Sequence, residues 1–181
     1  AAPASLTITD GPTYNYGTVT VGATSDHTFT VTNGGGVAAT GLSETGLGAP
    51  YSFVGGYPGT GGTCGATLSA GGSCDIVVRY APSASGVAND TINLSYYNGA
   101  GTVAATRDVT AAGTLPAVIA ISELEPYSYG TVPSGSTNDY TFTLQNTGGS
   151  TATALVGGGL AAPYSFVGGS YPGGGTCGVS L

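Results

Sequence analysis

Apolar and polar residues alternate along this chain in short runs, the two-residue period of a half-buried strand. In Ser5–Thr9 (SLTIT), Leu6 and Ile8 share one face. In His27–Thr32 (HTFTVT), Phe29 and Val31 share one face and Thr28, Thr30 and Thr32 the other. Tyr14–Thr18 continues the first strand past Gly11-Pro12, and NGGG at 33–36 supplies a tight turn after the third. Val37–Leu42 and Tyr51–Val54 follow. Thr63–Leu68 and Asp75–Tyr80 then flank SAGGS as a hairpin, and Thr91–Tyr97 and Val103–Thr110 form another across NGAG at 98–101. No stretch holds a helical period without Gly or Pro. Short strands between glycine turns predict an all-β antiparallel sandwich of roughly seven to nine strands.

The same pattern starts again. Residues 114–181 laid over 1–68 without a gap give 36 identities, among them YGTV, Asn33 with Asn146, APYSFVGG and TCG. A 113-residue period is too long for a solenoid unit and suits a complete small β domain. The chain therefore divides into a first immunoglobulin-like sandwich at 1–113 and the N-terminal part of a second at 114–181. The expectation is a tandem whose second member is incomplete, with Gly113 and Pro116 in the junction.

Composition narrows the function. Glycine accounts for 34 of 181 residues and proline for 10, yet 40% are hydrophobic, which favours a folded, turn-rich chain over disorder. Only 6% are charged and the formal net charge is −7. Arg79 and Arg107 are the permanent cations, so phosphate neutralisation has almost nothing to work with and nucleic acid is excluded as a partner. Apolar runs are a few residues long, so nothing in this segment inserts in a membrane.

TFTVTNGGG followed by CGATLSAGGSCDIVVRYAPSASGVANDTINLSYYN closely resembles the immunoglobulin-like repeats of the ASPM–SPD-2–Hydin type, whose bacterial versions are often labelled choice-of-anchor D domains. The shared pattern is a strand ending T-N-x-G, then C…L…G-x-x-C-x-I-x-V-x-Y-x-P, a glycine and a closing hairpin. It covers nearly all of the first repeat and the second up to Leu181. The resemblance implies a structural or binding module of long secreted or surface proteins and no catalytic residues.

Cys64 and Cys74 face each other across the expected hairpin, at a spacing that a disulfide can bridge. A metal site is the poorer reading, since only His27 could join them. The pair implies an oxidising, extracellular or cell-surface location. Cys177 matches Cys64, and the counterpart of Cys74 would lie one period on, past Leu181, so Cys177 reads as half of a pair and not as a reactive thiol.

Other chemistry is thin. His27 is the single histidine, Tyr140 takes its place in the second repeat, and no G-x-S-x-G elbow accompanies it. The carboxylates are dispersed, without a D-x-D-x-D-G loop. Glu123 and Glu125, flanking Leu124, are the one candidate for a calcium ion at the junction, with solvated charges the simpler reading. The sequence calls for no metal and no cofactor. The sequons at Asn89 and Asn93 are of a kind that arises by chance. The tyrosines suit cross-strand packing, but the loop GGYPGTGG, tipped by Tyr57 and Pro58, and its copy at Tyr171 and Pro172 are expected to be exposed and are the candidate contact loops.

The sequence thus points to a non-enzymatic extracellular structural module, a repeat of a bacterial stalk, fibre or filament. Its partners would be neighbouring repeats or copies of itself, including a strand-donating contact. The alternative is an adhesin module that binds glycan or a surface protein through the Gly/Tyr loops.

Overall fold

The structure is a computed structural model that describes residues 1–123 and 125–181. Every regular element in it is a β-strand. The chain divides into two compact units, Ala1–Thr114 and Leu115–Leu181.

Unit 1 holds nine strands: β1 (Leu6–Ile8), β2 (Thr13–Thr20), β3 (Ser25–Asn33), β4 (Ala39–Glu44), β5 (Tyr51–Phe53), β6 (Thr67–Leu68), β7 (Ser73–Tyr80), β8 (Gly86–Tyr97) and β9 (Thr102–Thr114). They form two sheets, ordered β1-β3-β7-β5 and β2-β9-β8-β4-β6. The first matches the A-B-E-D sheet of an immunoglobulin-like sandwich, and β9-β8-β4 matches its G-F-C sheet. All pairs run antiparallel except β2 with β9, which are parallel from Thr13↔Asp108 to Thr20↔Thr114.

The alternation read from the sequence sets the core. Phe29 and Val31 from β3 and Ile76 and Val78 from β7 meet Ile92 and Leu94 from β8, and all six are fully buried. Burial of each such side chain stabilises the fold by roughly 1.5–3 kcal/mol. Three tyrosines close the core with a polar tip each: Tyr16 donates to the Val78 carbonyl at 2.9 Å, Tyr51 to the Ala88 carbonyl at 2.9 Å, and Tyr96 accepts from the Leu6 amide at 3.1 Å.

Three expectations need correction. First, β2 does not extend β1: the Gly11-Pro12 break moves the chain from one sheet to the other, because β1 pairs with β3 and β2 with β9. Second, residues 63–68 do not form a hairpin with β7. Thr67–Leu68 pairs with Ala39–Thr40 in the opposite sheet, since Leu68 must reach the core from that side. Third, the last hairpin is longer than alternation suggests, with β8 starting at Gly86 and β9 ending at Thr114. Its added inward positions are small: Ala111 is buried, and a side chain at Gly113 would collide with the Ala84 carbonyl.

Asn33, expected as a turn residue, is the buried polar hub of unit 1. Its Oδ1 accepts the amides of Ser5 (3.1 Å) and Gly35 (3.0 Å). Its Nδ2 donates to the carbonyls of Val37 (2.9 Å), Leu68 (3.1 Å) and Ser69 (3.2 Å). One side chain thereby ties the approach to β1, the turn after β3 and the end of β6.

Unit 2 contains β10 (Ile119–Ile121) paired with β11 (Leu144–Asn146). The register Ile119↔Asn146 repeats Leu6↔Asn33 one period earlier. The hub recurs with it: Asn146 accepts from Val118 (3.2 Å) and Gly148 (3.0 Å) and donates to Ser150 (2.8 Å) and Leu181 (3.0 Å). Each of these partners lies 113 residues after a partner of Asn33.

Candidate functional site

The chain around Cys64 and Cys74 is where the sequence concentrated its candidates. The two cysteines are joined, with Cα atoms 4.9 Å apart. Their geometry is not that of a plain hairpin. The amides of Thr63 and Cys64 both donate to the Asp75 carbonyl, at 2.8 and 3.1 Å, and the Asp75 amide donates to Thr63 Oγ1 at 2.9 Å. The chain then leaves this sheet for β6 in the other. The staple sits where residues 63–67 cross between sheets, with Cys64 in the core.

The loop before it is not tipped by Tyr57. The Val77 amide donates to the Pro58 carbonyl at 2.8 Å, so the loop lies against β7. Gly59 permits this approach: it has φ 91°, and a Cβ there would lie 2.1 Å from the Val77 carbonyl oxygen. Tyr57 is drawn inward, half-buried, with its ring 5.6 Å from Phe53 in an edge contact. Burial pushes its phenol up to about 12, and its hydroxyl has no hydrogen-bond partner among the described residues. The exposed positions are Gly55, Gly56, Thr60 and Gly61 instead. Docking of the loop on β7 depends on a distant backbone carbonyl, which composition cannot reveal. Tyr57→Phe is expected to leave stability unchanged or raise it by up to about 1 kcal/mol, since an unpaired buried hydroxyl is removed; urea denaturation measures this directly.

His27 lies at the β1–β2 corner. Its Nε2 pairs with Asp10 Oδ2 at 3.0 Å, and its ring stacks on Tyr14 with centroids 3.8 Å apart. The His27 hydrogen bond holds the Asp10 carboxyl below its ordinary value. Among the described residues no serine bonds to this pair, and the His27 ring packs between Tyr14 of β2 and Phe29 of β3. Unit 2 builds the same corner with other groups. Glu123 stands where Asp10 does and accepts from the Tyr140 hydroxyl at 2.6 Å, and Tyr140 lies 4.1 Å from the Tyr127 ring. Glu123, a candidate calcium ligand with Glu125, is engaged in that bond; Leu124 between them lies outside the described residues.

Both arginines serve the fold. Arg79 grips Asp26 with two bonds, at 2.6 and 2.7 Å, and this holds the Asp26 carboxyl below its usual range. Arg107 donates to the carbonyls of Pro12 (2.8 Å) and Ile8.

A shallow depression of about 420 Å³ is lined by Thr13, Asn89, Asp90, Thr91, Asp108 and Val109. Its polar groups already bond within the fold: Thr91 Oγ1 donates to Asp108 at 2.8 Å, and the Gly48 and Thr91 amides donate to Asp90 at 2.9 and 2.7 Å. The sequon residue Asn89 accepts from Thr110 at 2.6 Å. Among the described residues no group of three His, Cys, Asp or Glu side chains converges.

In unit 2, Cys177 is a free, half-buried thiol. Tyr171 packs edge-on against Phe166 at 5.7 Å, as Tyr57 does on Phe53, so it too is half-buried, whereas Pro172 is exposed. Burial first, and Cys177 second, raise the Tyr171 phenol.

No protein-family model and no curated protein matches the sequence. Among solved structures the chain is similar to the VesB protease of Vibrio cholerae, at 24% identity and TM-score 0.44, covering 60% of this chain and 31% of that one. It is also similar to an ASH/PapD-like domain of human CEP192, at 10% identity and TM-score 0.43, covering 60% and 84%. A third similar structure is the secreted serine protease VesC of Vibrio cholerae, at 19% identity and TM-score 0.37, covering 55% and 21%. The chain thus spans about a third of the VesB protein it matches. The immunoglobulin-like assignment rests on strand order and packing rather than on these likenesses.

Proposed function

We propose that this chain is a non-catalytic structural repeat from the outside of a bacterial cell, part of a stalk, fibre or filament. The repeat would be of the ASPM–SPD-2–Hydin or choice-of-anchor D type. The observation that carries this reading is the recurrence, one period apart, of the same hydrogen-bonded hub, at Asn33 (buried) and at Asn146 (half-buried), with matching partners. The repeated residues hold strands together, as a module built for persistence requires.

The parallel pairing of β2 with β9 adds to it. Tension on the two ends of unit 1 pulls these strands in opposite directions along their length. Their hydrogen bonds are then loaded together in shear rather than one at a time. The Cys64–Cys74 bond fits an oxidising compartment. The competing glycan- or protein-binding reading is less well supported, because Tyr57 and Tyr171, the rings it would use, are half-buried.

Immunogold electron microscopy of the producing cells tests the proposal. Label on regular extended surface structures is the expected result. Label confined to the cytoplasm would overturn it, and so would glycan-array binding that Tyr57→Ala abolishes.

A further inference from the structure

The outer face of β2, β9 and β8 carries a second depression beside the one lined by Asp90 and Asp108. It measures about 180 Å³ and lies between Asn15, Thr18, Val87 and Thr110. Strand register places the two end to end. Thr13↔Asp108↔Thr91, Asn15↔Thr110↔Asn89 and Thr18↔Ala112↔Val87 are three successive cross-strand rows. Val109 and Ala111, which alternate with these positions on β9, are buried, so all three rows face outward. From Asp108 to Ala112 the trough runs ~13 Å along β9, at ~3.3 Å per residue.

The fold has already oriented the polar groups of this trough. The Gly17 amide donates to Asn15 Oδ1 at 2.7 Å, and the Thr110 hydroxyl donates to Asn89 Oδ1 at 2.6 Å. Both asparagines are exposed, and each keeps its Nδ2 as a donor with no acceptor among the described residues. Thr91 Oγ1 donates to Asp108 Oδ1 at 2.8 Å, which leaves Oδ2 as an acceptor. The turn at Asn15 does not need an amide: Ser128, its counterpart one period on, accepts the Gly130 amide with a hydroxyl alone, at 3.2 Å. Val87, 75% exposed, and Ala112 make one end of the trough apolar.

This pattern selects a ligand. No cationic side chain lines the trough, and Asp90 and Asp108 repel anions, which disfavours phosphate, sulfate and acidic sugars. Among the described residues no three His, Cys, Asp or Glu side chains converge to hold a metal ion. β9 lies between β2 and β8, so its main chain is spent within the sheet and cannot pair with an extended peptide. A ligand whose groups both donate and accept at short intervals matches what remains. We propose that the trough binds a neutral oligosaccharide. Its hydroxyls accept from Nδ2 of Asn15 and Asn89 and donate to Asp108 Oδ2, and its C–H face lies on Val87 and Ala112. The site is on the opposite sheet from the Tyr57 loop, which lies against β7, and it does not depend on the chain forming a stalk.

The test is a nuclear magnetic resonance titration of the whole nitrogen-15-labelled 181-residue chain. The probes are maltotriose, cellotriose and mannotriose, with sialyllactose as the anionic comparison, each taken to about 20 mM, well above a Kd of ~1 mM. The expected result is amide shifts centred on Asn15, Val87, Asn89, Asp108 and Thr110 with at least one neutral trisaccharide, and none with sialyllactose. Asn89→Asp keeps the acceptor for Thr110, and Asn15→Ser keeps the turn oxygen. Each should weaken binding at least about fivefold at an unchanged melting temperature. Tyr57→Phe should bind as the parent chain does. The map on the parent chain is independent of how the variants fold. No shift with any neutral probe overturns the proposal. So do equal shifts with sialyllactose, shifts centred on Tyr57, or folded variants that keep the parent affinity.

Discussion

Asn33→Ala lowers the stability of unit 1 by about 3–5 kcal/mol, the largest effect expected of any single polar substitution in it. Asn33 is fully buried and makes five hydrogen bonds, all to main-chain groups of other residues. Alanine removes this partner from two amides and three carbonyls, of which the Ser69 carbonyl keeps a second bond, from the Gly72 amide at 3.0 Å. A buried group left unsatisfied costs about 1–3 kcal/mol, and those near the surface recover part of that from water. A domain of this size is stable by roughly 5–15 kcal/mol, so the loss is a large fraction. The melting temperature should fall by roughly 10–20 °C. Asn33→Asp keeps the acceptor oxygen but turns a second oxygen toward three carbonyls, and is expected to be as damaging at neutral pH. Asn15→Ala is the control. That side chain accepts one exposed amide, from Gly17 at 2.7 Å, and its loss should cost less than about 1 kcal/mol. Thermal and urea unfolding of the three variants decide the matter. An Asn33→Ala midpoint equal to that of Asn15→Ala would show that the hub does not hold the sandwich.

Removing the staple comes next. Replacing Cys64 and Cys74 together by alanine is expected to cost roughly 3 kcal/mol, since the bond closes a short loop whose freedom the unfolded chain then regains. Alanine is preferred to serine because Cys64 is in the core, where a hydroxyl would need a partner. The effect should also be local. The Val77 amide bonds to Pro58 in the loop that the staple anchors, so its hydrogen exchange should accelerate more than that of Val31. A denaturation midpoint unchanged by the double substitution, with uniform exchange, would contradict this placement.

The alternation of Phe29 and Val31 with threonines made the inner face of β3 legible, and the recurrence of TFT and Asn33 made the period legible. These are local signals. The sheet to which Thr67–Leu68 belongs was not legible, because partner choice is set by which side of the core Leu68 fills. Asn33 looked like a turn residue because asparagine before glycines is common in turns. Its five partners are spread from Ser5 to Ser69 and meet only in the folded unit. The recurrence of Asn33 as Asn146 was the one signal that could have marked it. Tyr57 is half-buried and not the exposed tip expected of it for a similar reason: the glycines that suggested an exposed loop are what let its backbone close on Val77.

Single-molecule force spectroscopy of the 181-residue chain, pulled from its two ends, tests the load-bearing role most directly. Opening of unit 1 should give one distinct force peak, as β2 and β9 separate in shear. The released length should grow by about 30 Å under reducing conditions, because 10 residues extend at ~3.3–3.6 Å each where the bond held the two Cα atoms 4.9 Å apart. Extension without a peak, or the same released length with and without reductant, would contradict a stapled module built to bear tension.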